Sequence, residues 1–251
     1  MINFVFIVLN YQWIYNYYMN GVRRIVYKTK VVGVILGFFV TLFQFKLLSF
    51  YKEPKIVNLI KTVKKEVDLT FYPYEAYTIY SIARSQSKLD GDMAEVGVYQ
   101  GGSAKLISEA KGNKTLHLFD TFTGLPPLSE ADTHFGVKFW KENEFNNTSE
   151  DKVIKYLSKY NNVKTYQGKF PNTSEPIKNT MFSFVHLDVD LYQSTIDSLE
   201  FFYPRLIQGG IILTHDYHSN GVYKAFAEFF KSIQIPIIEL TGSQCMIVKT
   251  I

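Results

Sequence analysis

The sequence predicts a doubly wound α/β domain with a largely parallel sheet and a hydrophobic helical extension at its N-terminus. Three observations predict it. From residue 70 onward, stretches with helical periodicity alternate with short apolar runs of strand length. A glycine-rich turn, Gly97 to Gly102, joins one such run to the helix after it. Carboxylates and histidines cluster directly behind two later runs, at Asp188 to Asp190 and His215 to His218. At 251 residues the chain has room for one principal core and a smaller appendage, but not for two independent catalytic domains. Hydrophobic residues make up 47% and charged residues 20%, which excludes a disordered or fibrous chain. A net charge of +4 is too mild to indicate nucleic acid, and no nucleic-acid partner is expected. The lone Cys245 excludes an internal disulfide and a cysteine-only metal site.

Residues 1–67 form the extension and residues 68–251 the α/β domain, a boundary marked by composition. Met1 to Asn20 carry no charged side chain, Arg23, Arg24, Lys28 and Lys30 form a basic cluster, and Val31 to Phe45 are apolar. From there to Lys65 the chain is lysine-rich and amphipathic. A membrane-spanning helix needs about 20 apolar residues, a length reached only by taking in Gln44 and Lys46. Positive charge that follows the first apolar stretch does not fit a cleaved signal peptide. A pair of buried or interfacial helices, packed on the domain or on a second subunit of a homo-oligomer, is the preferred reading for a cytoplasmic protein. Membrane association through residues 1–51 is the alternative.

The domain's elements follow in order. A helix over Pro73 to Gln86 leads to a strand at Gly91 to Val96, the glycine-rich turn and a helix from Ser103 to Glu109. A strand over Thr115 to Asp120 precedes a long connection from Thr121 to about Asn147, either a substrate lid or locally ordered structure. A helix over Glu150 to Lys159 has Ser149 or Thr148 as its N-cap. Strands follow at Val163 to Gln167 and at the wholly apolar Phe182 to Leu187, then a helix over Gln193 to Tyr203. Gly209 and Gly210 precede a strand at Ile211 to Thr214. A helix over Val222 to Ile233 and strands at Ile237 to Leu240 and Gln244 to Lys249 complete the chain.

The segment AEVGVYQGGSA, Ala94 to Ala104, ends a strand and starts a helix. Glycines there let the backbone turn sharply and a ligand approach, and the helix N-terminus offers unpaired N–H groups. Asp120 ends the next strand, where a carboxylate can accept both hydroxyls of a ribose. A nucleoside-type cofactor is expected, although the glycine spacing departs from the dinucleotide fingerprint. Glu95 lies beneath this pocket, either serving it or merely organising the turn. The second constellation comprises His186, Asp188 and Asp190, with His215, Asp216 and His218. If their strands are neighbours, Asp188 and Asp216 converge at the sheet's carboxyl edge, and carboxylates with an imidazole suit a divalent cation.

The run from about Leu89 to Tyr217 resembles the macrocin O-methyltransferase (TylF/MycF-type) family of class I S-adenosylmethionine-dependent methyltransferases. The resemblance rests on DGDMAEVGVYQGGSA, LFDTFTGLP, GKFPNT, HLDVDLYQST and YPRLIQGGIILTHDY, in that order. It implies a seven-stranded Rossmann-like fold, S-adenosylmethionine as methyl donor, and a hydroxyl of a sugar, glycan or glycosylated small molecule as acceptor. It also implies a divalent metal, usually Mg²⁺. Carried over by position, Asp188 and Asp216 match metal-binding carboxylates and Asp188 also the general base. Asp120 matches the ribose-binding acid, and Glu95, Gly97, Gly101, Gly102 and Ser103 match the cofactor loop, with Tyr99, Thr121 and Gly168 assigned to the same cofactor site. His215 departs from the pattern, because members commonly carry two adjacent carboxylates here. Imidazole suits Mn²⁺, Fe²⁺ or Zn²⁺ better than Mg²⁺, so His215 is expected either as a third metal ligand or as the base. Two other readings stand beside this one. Asp188-Val189-Asp190 is a literal D-x-D, as in metal-dependent glycosyltransferases, and a non-catalytic membrane-tethered domain would keep the fold and the cofactor but lose the chemistry at His215.

Overall fold

The computed structural model describes residues 30–133, 138 and 140–250. The uncharged stretch at Met1 to Asn20, the basic residues Arg23, Arg24 and Lys28, and Phe135 and Phe139 lie outside the described residues. Three helices come first: α1 (Lys30–Tyr51), α2 (Pro54–Glu66) and α3 (Pro73–Gln86). The domain continues as β1 (Asp92–Val96), α4 (Gly102–Ala110), β2 (Leu116–Asp120), α5 (Glu150–Tyr156), β3 (Val163–Gln167), β4 (Phe182–Leu187), α6 (Tyr192–Phe202), β5 (Leu206–Thr214), α7 (Asn220–Phe229), β6 (Ile238–Glu239) and β7 (Cys245–Val248).

The seven strands form one sheet in the order β3-β2-β1-β4-β5-β7-β6. β1 to β5 run parallel, and β7 is antiparallel to both β5 and β6. Central strands covered on both faces should be apolar without alternation. β4, FSFVHL, is buried at all six positions, whereas β3 at the sheet edge leaves Lys164 and Gln167 exposed. β5 begins at Leu206, not at the expected Ile211. Gly209 and Gly210 lie inside the strand, where Gly209 N–H donates to the Lys249 carbonyl (2.7 Å) and Lys249 N–H to that of Gly210 (2.9 Å). Helix α5 stops at Tyr156, three residues early, and is capped by the Ser149 hydroxyl, which accepts from Lys152 N–H. Helix α7 starts earlier than expected, with Ser219 as its cap, and ends at Phe229.

Two apolar layers flank the sheet. One joins α2, α3 and α4 to the sheet through Ile60, Val63, Ile79, Leu106, Ile107 and Phe184, and the other joins α6 and α7 through Phe182, Phe202, Phe226 and Ile247. Helix α2 precedes the compositional boundary at residue 68, yet Ile56, Ile60 and Val63 belong to the same core as β1 and β2. Helix α1 behaves differently along its length. Near its end Leu48 is buried and Gln44 Oε1 accepts from Tyr74 N–H (3.0 Å), while Val34, Ile35, Leu36, Phe38 and Phe39 are all exposed.

Candidate active site

Strand order reverses between β1, which leads toward β2, and β4, which leads toward β5. In open α/β sheets ligands bind at that point, beyond the carboxyl ends of the strands. A cavity of about 420 Å³ opens there, lined by Gly97, Tyr99, Asp120, Thr121 and Gly168 on one side and Asp188, Asp190, His215 and Asp216 on the other. The two expected constellations therefore share one space. Asp188 N–H donates to the Val96 carbonyl, and His215 N–H donates to that of Leu187, both at 2.9 Å, so the β1, β4 and β5 ends are laced together. Gly97 is required by this lacing. It has φ +85°, and a Cβ would lie 1.9 Å from the Asp188 carbonyl oxygen.

The glycine turn is shaped by Asp120. Its Oδ2 accepts from Val98 N–H (2.7 Å) and Tyr99 N–H (2.8 Å), and its Oδ1 accepts from Phe122 N–H (2.6 Å). Three backbone donors thus hold the carboxylate facing the cavity, with one lone-pair site on Oδ1 left for a ligand hydroxyl. Gly101 caps α4 with φ +83°, and Gly102 packs under Leu69, where a Cβ would come within 2.6 Å of its methyl. Gly101, Gly102 and Ser103 build the turn behind the cavity and do not line it. Glu95 does not reach it either. It sits opposite His186 across β1 and β4, fully buried, with its carboxyl 2.8 Å from His186 Nδ1. Burial pushes Glu95 well above the usual carboxylate range and lowers His186 to about 4, so the two form a neutral hydrogen-bonded pair.

The acidic side is compact. His215 Nδ1 lies 2.9 Å from Asp216 Oδ2 and 3.3 Å from Asp188 Oδ1, and one donor atom from each residue lies within 4.8 Å of the others. Separations near 3 Å are those of neighbouring positions around a six-coordinate ion with bonds of about 2.1 Å. Two carboxylate oxygens and one imidazole nitrogen within 4.8 Å of one another are donors of the kind that suit a divalent metal. Burial opposes charge on His215, but the Asp216 and Asp188 carboxylates overcome it and raise the imidazole well above its ordinary range. Asp216 is driven below the usual carboxylate range by His215 against the cost of burial. Asp190 goes the other way: burial and its neighbours Asp216 and Asp188 keep it protonated, and it donates to Asp216. Asp190 is buried against Asp216, and the carboxylate and imidazole atoms that converge among the described residues belong to Asp188, His215 and Asp216, not to the Asp188-Val189-Asp190 pair. Tyr99, Asp190 and Asp216 have φ of 51°, 60° and 53°, conformations that non-glycine residues adopt at a cost and that gather at functional sites.

The described parts of the long connection after β2 line the cavity at Gly124 to Pro126 and at Trp140, Glu144 and Phe145. Leu125 N–H donates to the Glu144 carbonyl (2.9 Å) and Asn143 N–H to that of Leu125 (3.0 Å), which pins the loop's ends. Asp132 Oδ1 accepts from Tyr192 N–H (2.7 Å) at the start of α6, and Asn220 N–H donates to the Thr133 carbonyl (2.9 Å) at the start of α7. Trp140, Glu144 and Phe145 form one wall, with Phe145 edge-on to Tyr99 at 5.2 Å. Two further groups, buried Glu75 and half-buried Ser243, touch the site with no signal in the sequence. Glu75 on α3 and Ser243 before β7 both approach His215.

A seven-stranded sheet of this order, with a glycine-lined crevice beside an acidic pocket at the carboxyl ends of its strands, is that of the Rossmann-like class I methyltransferases. Residues 79–245 match the macrocin-O-methyltransferase (TylF) family, and the chain belongs to it. It is similar to the 8-demethyl-8-(2,3-dimethoxy-alpha-L-rhamnosyl)-tetracenomycin-C 4'-O-methyltransferase of Streptomyces olivaceus, 29% identical over 61% of this chain and 64% of that protein. It is 26% identical to the demethyldecarbamoylnovobiocin O-methyltransferase of Streptomyces niveus over 58% of this chain and 64% of that protein. The match thus spans a little under two thirds of each relative's length. Among solved structures, the O-methyltransferase NovP superposes over 72% of this chain and 81% of its own, with a TM-score of 0.62 and 22% identity, a likeness of fold.

Proposed function

We propose that the protein transfers a methyl group from S-adenosylmethionine to a hydroxyl of a sugar or sugar-bearing small molecule. One observation carries this reading: the crevice of Gly97, Tyr99 and Asp120 and the acidic group of Asp188, His215 and Asp216 line the same cavity. Asp120 offers its remaining lone-pair site to a ribose hydroxyl, and Gly97 lets the backbone of the crevice pass close to Asp188. The sulfonium methyl of the donor is electrophilic without help, so the chain's task is to orient the acceptor oxygen and remove its proton. Asp188 takes that proton as the general base, and His215 Nδ1, 3.3 Å from Asp188 Oδ1, orients its carboxylate. A divalent cation would be held by Asp188 Oδ1, His215 Nδ1 and Asp216 Oδ2, and would supply Lewis acidity toward the acceptor hydroxyl. Trp140 and Phe145 exclude water beside the reacting groups. Relatives named for methylation of a rhamnosyl and of a novobiocin-type substrate support a sugar-bearing acceptor.

Methyl transfer from labelled S-adenosylmethionine to a panel of sugar hydroxyl acceptors tests the reading. Asp188→Asn should bind S-adenosylmethionine with nearly wild-type affinity and lose turnover by at least about 100-fold, the contribution of a general base. A fully active Asp188→Asn would remove Asp188 from that role.

We further infer that α1 holds the enzyme at a lipid surface. The helix is apolar around its whole circumference between Val34 and Phe43, and those residues are exposed or half-exposed. An 18-residue window from Val34 to Tyr51 has mean hydropathy 1.8 and is only 6% buried. Lys30 before it, Lys46 within it, and Lys52 and Lys55 after it complement anionic headgroups. Flotation of the full chain with vesicles of 30% phosphatidylserine should bring it to the top fraction (about 30% being a typical anionic test surface), and a version starting at Pro54 should stay at the bottom. Equal behaviour of the two would contradict the anchor.

A further inference from the structure

The geometry points to Glu75 and Ser243 as positioning residues that fix the orientation of His215 through a directed chain of hydrogen bonds, so that Nδ1 is the nitrogen presented to Asp188 and Asp216. The inference rests on the proposed reading of His215 as part of the reacting pocket and names what holds it there.

Glu75 lies in the first turn of α3, 168 residues from Ser243, and both are brought to the back of the His215 ring. Glu75 Oε1 accepts from Ser243 N–H (2.8 Å) and from Ser243 Oγ–H (2.7 Å), and Oε2 accepts from Tyr72 N–H (2.8 Å). An ionised carboxylate can only accept, so the Ser243 hydroxyl proton is committed to Glu75. What the hydroxyl offers His215 Nε2, 3.0 Å away, is therefore a lone pair. Nε2 must carry the proton in that contact, and Glu75 Oε2, at 3.5 Å, faces the same nitrogen as a second acceptor. Nε2–H is thereby fixed whatever the state of Nδ1, which alone can donate to Asp188 and Asp216, present a lone pair, or bind a cation. A histidine ligand oriented by a carboxylate behind it is the usual support of a metal-binding imidazole. Here the carboxylate acts through an intervening hydroxyl.

Two further features support the arrangement. The ring of Phe71 stands edge-on to His215 at 5.0 Å, which fixes the imidazole plane. Gly242, with φ +102°, leaves space for Glu75, since a Cβ there would lie 2.5 Å from Oε1. Glu75 also receives the Tyr72 N–H that starts α3, so the pair welds the helix before the sheet to the turn before its last paired strand.

Nitrogen-15 NMR of the histidine-labelled full chain, with turnover and S-adenosylmethionine binding measured in parallel, tests the assignment. In the wild type, a His215 Nε2–H signal protected from exchange should persist at every pH at which the protein is folded. In Ser243→Ala the signal should lose protection and kcat should fall about 10- to 100-fold, the usual cost of removing such a support, with S-adenosylmethionine affinity within about twofold. Ser243→Thr keeps a hydroxyl and should restore both readouts. Gly242→Ala crowds Glu75 Oε1 and strains the backbone beside Ser243, and should reproduce the Ser243→Ala spectrum. Wild-type protection and kcat in Ser243→Ala, or an unprotected Nε2 in the wild type, would overturn the inference. A His215→Gln variant with full turnover would instead overturn the role of His215 itself, whatever the spectra show.

Discussion

At the scale of the residue, the site is a set of charges that depend on one another. Glu75 is held at about 2, against 4.5 for a free carboxyl, because His215, Ser243 and Tyr72 outweigh the cost of its burial. Between about pH 4.5 and pH 2 the unfolded chain binds a proton there that the folded chain refuses. Its contribution is complete above that window and is lost as pH falls through it, about 3 kcal/mol at most. Urea unfolding of wild type and Glu75→Gln across that range should show the difference in stability shrinking with acid, and a constant difference would deny Glu75 its charge. Asp120→Asn should weaken S-adenosylmethionine by about 1 to 3 kcal/mol, since an amide cannot accept at both ends, while also loosening the turn at Val98 and Tyr99. Calorimetry reads the first effect and the melting temperature the second. His215→Asp should shift metal preference from Mn²⁺ toward Mg²⁺ by exchanging a nitrogen for an oxygen ligand, as metal titration would report.

At the scale of the element, what was legible in the sequence was whatever a strand end carries with it. Gly97, Asp120, Asp188 and Asp216 each follow an apolar run, and parallel strands bring such positions to one edge without any further information. Glu75 and Ser243 were illegible for the opposite reason. A glutamate in the first turn of a helix reads as an ordinary capping residue, which it also is, and nothing local joins it to a serine 168 positions away. Gly101, Gly102 and Ser103 were legible as a turn, but spacing could not show that they support the crevice from behind. Glu95 was placed correctly on β1, and the strand's own pairing with His186 turned it inward. The connection after β2 carried no periodicity because its order comes from distant partners, notably Asp132 at the first N–H of α6. Asp132→Ala should cost about 0.5 to 2 kcal/mol, as losing a helix cap does, and should lower turnover more than donor affinity. Thermal melts and initial rates read the two effects.

At the scale of the whole molecule, composition and packing divide the chain differently. The lysine-rich character of residues 46 to 65 suggested an appendage, yet α2 supplies Ile60 and Val63, both fully buried, to the layer that covers the sheet. Its amphipathicity, lysines outward and β-branched residues inward, is that of a helix lying on a core. Ile60→Ala should therefore destabilise the entire domain by about 2 to 5 kcal/mol in denaturant unfolding. Helix α1, by contrast, leaves its apolar circumference uncovered over its first turns. The second half of α1 nevertheless packs on the domain, through Gln44 at the Tyr74 N–H, Phe45 against the core and the buried Leu48.

The central claim is that an adenosine crevice and an acidic, cation-holding pocket open into one cavity. Isothermal calorimetry with S-adenosylmethionine and with a UDP-sugar, each with and without Mn²⁺, tests it most directly. S-adenosylmethionine should bind wild type and Asp188→Asn alike and bind Asp120→Asn more weakly, while Mn²⁺ should bind wild type but not Asp188→Asn. Tight binding of the UDP-sugar in the absence of any binding of S-adenosylmethionine would contradict it.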